Sequence, residues 1–113
     1  MASNIEKIIS YFWTTYDIAL QVGYSSSDEN ICINENQSFS NSNLTGIENL
    51  QLRVKVRGNN DTSAYINCKA KIEDLSKKLK ECVEVINPRM LSLGKENNSW
   101  VMVYNFDTTR GGI

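Results

Sequence analysis

The sequence predicts an α+β fold, a mostly antiparallel sheet of about four strands packed against two helices in the order α-β-β-α-β-β. Three observations carry that expectation. Leu50 to Arg57 alternates strictly between apolar and polar residues, Tyr65 to Ile86 repeats its apolar residues at helical spacing, and Ser99 to Phe106 reads as a final strand rich in aromatics. The chain has 113 residues, 41% of them hydrophobic and 22% charged, enough for one modest core and too few for two. A single unit over 1–107 is therefore expected, with a long polar loop at 35–49 and a flexible tail at 108–113.

The elements follow in order. Ser3 is positioned to cap a first helix whose residues Ile5, Ile8, Ile9, Phe12, Tyr16, Ala19 and Leu20 form one apolar stripe, with Gly23 as its stop. An alternative ends that helix near Thr14 and makes Asp17 to Tyr24 a strand, because Ile18, Leu20 and Val22 also alternate; the longer helix is preferred. Ser25 to Glu29 is a turn, and Ile31-Cys32-Ile33 a short strand of strand-favouring residues. The stretch from Glu35 to Asn49 is dominated by Asn and Ser and has only Phe39, Leu44 and Ile47 as apolar anchors, which makes it a loop and a candidate contact arm. Its Asn36-Gln37-Ser38 and Asn43-Leu44-Thr45 sequons carry no meaning without a secretory route.

Leu50, Leu52, Val54 and Val56 then share one strand face, while Gln51, Arg53, Lys55 and Arg57 share the other. The apolar face belongs to the core. The basic face is either a solvated surface, the plainer reading, or a stripe that meets an acidic neighbour or lies near DNA. Tyr65, Cys68, Ile72, Leu75, Leu79, Cys82 and Ile86 recur at alternating steps of three and four, the seam of one helix of about 24 residues and about 36 Å. Asp61 or Thr62 suits its N-cap, and Asn87-Pro88 its stop. Arg89 to Leu93 and Ser99 to Phe106 read as two strands joined by the loop Gly94 to Asn98. In the last strand Trp100, Met102, Tyr104 and Phe106 share one face and Val101 and Val103 the other, so both faces need cover.

Composition narrows the function classes. Histidine is absent, which removes the usual general base and the usual metal ligand; the acidic residues are scattered, so enzymatic chemistry is not expected. Cys32, Cys68 and Cys82 lack the Cys-x-x-Cys spacing and cannot all pair, so they read as reduced, small apolar side chains, and no cofactor or metal is called for. A net charge of −1 gives no electrostatic mandate for nucleic acid. No segment approaches the ~18 consecutive apolar residues of a membrane span. Met1 to Asn4 lacks the basic region of a signal peptide, so folding in a cytoplasm is expected.

The segments Leu52 to Gly58, a helix beginning near Ala64, Leu93 to Asn98 and a last strand ending Tyr104-Asn105-Phe106 together resemble the tail terminator and related minor capsid, or head-tail joining, proteins of long-tailed bacteriophages. Ile5 to Phe12 resembles that family's opening helix and Asp28 to Ile33 its first strand; the match runs in order over most of the chain. Two departures stand out: the loop 36–42 contains no glycine, and the chain adds a Gly111-Gly112 tail. The resemblance implies a structural virion protein at the head-proximal end of the tail, assembled in the host cytoplasm. It would form a ring, commonly of six subunits, that caps the tail tube, ends tube polymerisation and joins the head connector. Its partners would be itself, the tail-tube protein and a head-completion protein, with DNA only passing through the lumen.

Ring formation joins two different patches of one subunit and needs exposed apolar surface or sheet edges. The residues singled out for such contacts are Phe39, Arg53, Lys55, Arg57, Trp100, Met102 and Tyr104, with core burial an equal alternative for Trp100 and Tyr104. Other classes remain. Arg53, Lys55 and Arg57 beside aromatics would suit a small nucleic-acid-binding or inhibitor module, and the Gly-Gly tail a ubiquitin-like modifier, although that fold opens with a hairpin and this chain with a helix. Another head-completion protein of similar size is a further possibility.

Overall fold

A computed structural model describes residues 4–23, 27–35, 47–58, 62–96 and 98–109. Its elements are α1 (Asn4–Tyr16), β1 (Gln21–Val22), β2 (Asn30–Glu35), β3 (Ile47–Arg57), α2 (Thr62–Cys82), β4 (Ile86–Glu96) and β5 (Ser99–Thr109). They form a five-stranded mixed sheet in the order β1-β2-β3-β5-β4, with β1 parallel to β2 and every other pairing antiparallel. The α+β class with two helices is as expected, but the sheet has five strands instead of about four, one pairing is parallel, and the order is α-β-β-β-α-β-β instead of α-β-β-α-β-β.

The extra strand traces to the end of α1. Expected to run on to Gly23, the helix stops at Tyr16, because Asp17 takes a left-handed conformation with φ of 57°. Its amide donates to the Trp13 carbonyl at 3.1 Å, the 5→1 bond of an αL cap, and the Ile18 amide donates to the Phe12 carbonyl at 3.1 Å. Ile18 packs against the core beside them. The chain then extends, and Gln21 and Val22 pair with Cys32 and Ile33. Gly23, at φ 90°, closes that strand by donating its amide to Ile33.

Three further boundaries differ from expectation. The strand β3 begins at Ile47, inside the stretch read as loop, and residues 36–46, including Phe39, lie outside the described residues. At the far end of α2 the chain turns at Val83, five residues ahead of Pro88, so Ile86 opens a strand where the helical seam had included it. Asn87, at φ 51°, and Pro88 instead sit in an irregularity of β4 between Ile86 and Arg89. Finally, β5 runs to Thr109, with Thr108 1% exposed, so the strand enters the expected tail; residues 110–113 lie outside the described ones.

Both helices lie on one side of the sheet. The helix-side residues are Leu50, Leu52, Val54 and Val56 of β3, with Met102, Tyr104 and Phe106 of β5 directly opposite the first three in reverse order. Onto them α2 lays Cys68, Ile72, Leu75 and Leu79, and α1 lays Ile8 and Phe12. Each fully buried side chain of this size stabilises the fold by about 1.5–3 kcal/mol, so this layer is the main source of stability. The start of α1 is tied down by Asn4, whose amide donates to Glu48 at 2.5 Å and to the Thr109 carbonyl at 2.9 Å. Where β3 hands over to α2, a β-carbon on Gly58 would collide with that of Ala64, so only glycine lets the helix approach so closely.

Coverage of the sheet is uneven. The α2 helix packs on β3 and β5, and α1 on β2 and on α2, with no comparable packing of either helix on β4. Consequently β4 is an edge strand whose residues are exposed along most of its length.

Candidate functional site

The seven residues singled out from sequence divide into three groups. Phe39 is outside the described residues. Trp100, Met102 and Tyr104 belong to the helix side of β5, which is a central strand and not an edge. Met102 is 3% and Tyr104 4% exposed, so both serve this subunit's own core. Trp100 is partly buried against the same core, its ring edge-on to Tyr65 at 5.3 Å between centroids. The core alternative therefore describes these positions; Val101 and Val103, on the opposite face of β5, are each 1% exposed as well.

Arg53, Lys55 and Arg57 do share the face opposite the helices, but each meets a carboxylate of its own chain. Lys55 is 2% exposed and donates its ammonium to Glu96 Oε1 at 2.8 Å, while Arg53 reaches Glu96 Oε2 at 2.8 Å. One carboxylate thus serves two cations, one on each oxygen. Arg57 lies 3.4 Å from Asp28, with its side chain mostly exposed. A buried lysine is costly unless it is paired, so Glu96 is a structural requirement of Lys55. Glu96 fell inside the loop read as Gly94 to Asn98, which hid it; with β4 ending at Glu96 and β5 starting at Ser99, the connection is two residues, Asn97 and Asn98. Such a short Asn-rich connection was the available signal.

On the helix side, α1 and α2 are joined by a polar clamp. The Tyr11 hydroxyl donates to Glu81 at 3.1 Å and the Tyr16 hydroxyl donates to the same carboxylate. Partial burial raises the Tyr11 pKa, followed by the Glu81 carboxylate; for Tyr16 the hydrogen bond to Glu81 leads and pushes it well above the usual tyrosine range. Neither group titrates near neutrality, so the clamp is architectural. Burial also raises the Cys68 and Cys82 thiols, which keeps them protonated and poorly nucleophilic.

The surface that sequence reasoning did not find is the edge. Met90, Leu91 and Leu93 of β4 are 38%, 48% and 54% exposed, on a strand with no outer partner among the described residues. Between β4 and α2 runs a groove made of two adjoining hollows of about 360 and 170 Å³ that share Met90. Its floor includes Tyr104 and Met102, and its helical wall carries Lys69, Glu73, Lys77 and Lys80. At the opposite edge, Val22 of β1 and Trp13 of α1 are 65% and 56% exposed. Leu91 and Leu93 were legible as apolar, but edge position depends on strand order, which periodicity does not encode.

Among the described residues no group of three or more His, Cys, Asp or Glu is placed to hold a metal ion, and no helix is long and apolar enough to cross a membrane. No family model, curated protein or solved structure matches the chain. The likeness to phage tail terminators accordingly stands on its sequence segments alone.

Proposed function

We propose that this chain is a structural, non-enzymatic subunit that assembles into a ring, of the kind that caps a phage tail tube and joins it to the head. The observation that carries the reading is the β4 edge, which no described element covers or pairs on its outer side and where Met90, Leu91 and Leu93 present apolar side chains. A monomer normally blunts such an edge with charge, bulges or cover; β4 has Pro88, Arg89, Lys95 and two irregularities, yet it leaves Met90, Leu91 and Leu93 exposed between them, a set that a subunit of an assembly can use. A second exposed apolar set at the other edge of the sheet, Val22 and Trp13, supports association of two unlike patches, which closes into rings when the rotation allows. In this reading the chain works in the virion, at the head-proximal end of the tail, after assembly in the host cytoplasm. Six copies, tail-tube protein on one face and a head-completion protein on the other, with DNA passing through the lumen, follow from the family resemblance.

The nucleic-acid alternative is disfavoured by the stripe meant to support it, since Arg53 and Lys55 spend their charge on Glu96 and Arg57 lies near Asp28. Sedimentation over a range of concentrations, with negative-stain imaging in the presence of tail tubes, tests the proposal. Rings in solution or caps at tube ends are expected, together with arrest of tube growth. A chain that stays monomeric and leaves tube length unchanged would overturn it.

A further inference from the structure

Among the described residues the helix layer is one helix short: α1 serves β2, α2 serves β3 and β5, and β4 is left bare beside the groove. We infer that the missing cover comes from a second copy of this chain, whose α1 lays its outer flank into the groove between α2 and β4. This inference rests on the ring reading and names the junction between neighbours.

Charge and shape select that occupant. Along α2, Ile66, Lys69, Glu73, Lys77 and Lys80 recur at three, four, four and three residues and so share one flank, exposed throughout. Three cations and one anion stand there beside exposed Ile66 and Met90. Along α1, Glu6, Ser10 and Trp13 recur at four and three residues on a flank that is likewise exposed, away from the Tyr11 and Tyr16 contacts with α2, and the exposed Asp17 follows just past the helix end. It offers two carboxylates around one large aromatic. The stripes are about 21 Å and 17 Å long at about 1.5 Å per residue, so acid can meet base along most of their length while Trp13 covers Met90. Side-by-side placement of two copies in the same orientation also brings the neighbour's β1 edge, with Val22, toward β4. Each subunit then uses one edge as donor and the other as acceptor, a head-to-tail junction.

Charge reversal tests the junction. Lys77→Glu with Lys80→Glu reverses the groove; Glu6→Lys with Ser10→Lys reverses the flank without touching the cap at Asp17. All four positions are exposed, so each variant should keep wild-type circular dichroism and melting. Sedimentation velocity should show each variant alone as monomers, with association weakened by about a hundredfold or more, since like charges then face each other. An equimolar mixture should regain wild-type oligomers, because every junction again joins opposite charges. Variants that still assemble alone, or a mixture that does not recover, overturn this interface while the ring reading stands. A wild-type chain that never associates, in solution or on tubes, overturns the ring reading and this junction together.

Discussion

Lys55 shows how little of a side chain's situation its sequence position reveals. Alternation correctly put it on the face opposite Leu52 and Val54, yet that face was expected to be solvated or bound to a partner, and Lys55 is 2% exposed. The missing information was the carboxylate, which comes from a strand 41 residues away in sequence. A buried ammonium whose partner is removed is worse than no ammonium at all. Glu96→Ala should therefore cost about 2–4 kcal/mol, somewhat less than the roughly 3–5 kcal/mol of a fully buried pair because the carboxylate itself is a third exposed. Lys55→Met, which removes the charge and keeps the stem, should cost about 1 kcal/mol or less. Urea denaturation midpoints of the two variants measure the contrast, and equal losses would mean that Lys55 is not held by Glu96.

At the scale of elements, periodicity read the interiors well and the ends poorly. The apolar seam of α2 and both faces of β3 were legible because their spacing is a direct image of the helix and strand repeats. The end of α1 was not, because Ile5 to Leu20 remains compatible with a helical stripe, and the stop is a single left-handed Asp17, a role usually given to glycine or asparagine. Asp17→Ala should cost about 1 kcal/mol or less by removing the short polar side chain that makes aspartate more tolerant of that region than alanine, whereas Asp17→Gly, without a β-carbon, should leave stability equal or higher. Thermal melts of the two variants decide whether the cap is conformational. The clamp between α1 and α2 has its own signature. Tyr11 and Tyr16 are raised in the folded chain, so the stability they contribute is complete below the unfolded tyrosine value of about 10 and is lost as pH rises beyond it. Tyr11→Phe with Tyr16→Phe should flatten the alkaline fall of stability without abolishing it, because Cys68, Cys82 and Tyr104 are raised by burial as well. Denaturation at stepwise alkaline pH, alongside ultraviolet titration of the phenols, checks the sign.

Across the whole molecule, strand order decides which apolar residues build the core and which stay exposed. The last strand looked like an interface because both its faces are apolar, and the preceding strand looked ordinary; the sheet order places β5 inside and β4 at an edge. That difference is measurable. Met102 is 3% exposed under α2, so Met102→Ala should cost about 2–5 kcal/mol, with assembly failing only as the subunit unfolds. Leu91 and Leu93 are about half exposed, so Leu91→Lys with Leu93→Lys should change monomer stability by about 0.5 kcal/mol or less per site. Lysine on an edge strand blocks strand addition, so the same double variant should lose oligomers while remaining folded. Paired measurements of unfolding and sedimentation on both variants separate the two effects. Loss of assembly without loss of stability at Met102, or loss of stability at Leu91 and Leu93, would return the interface to the central strand, where the sequence pattern had first put it.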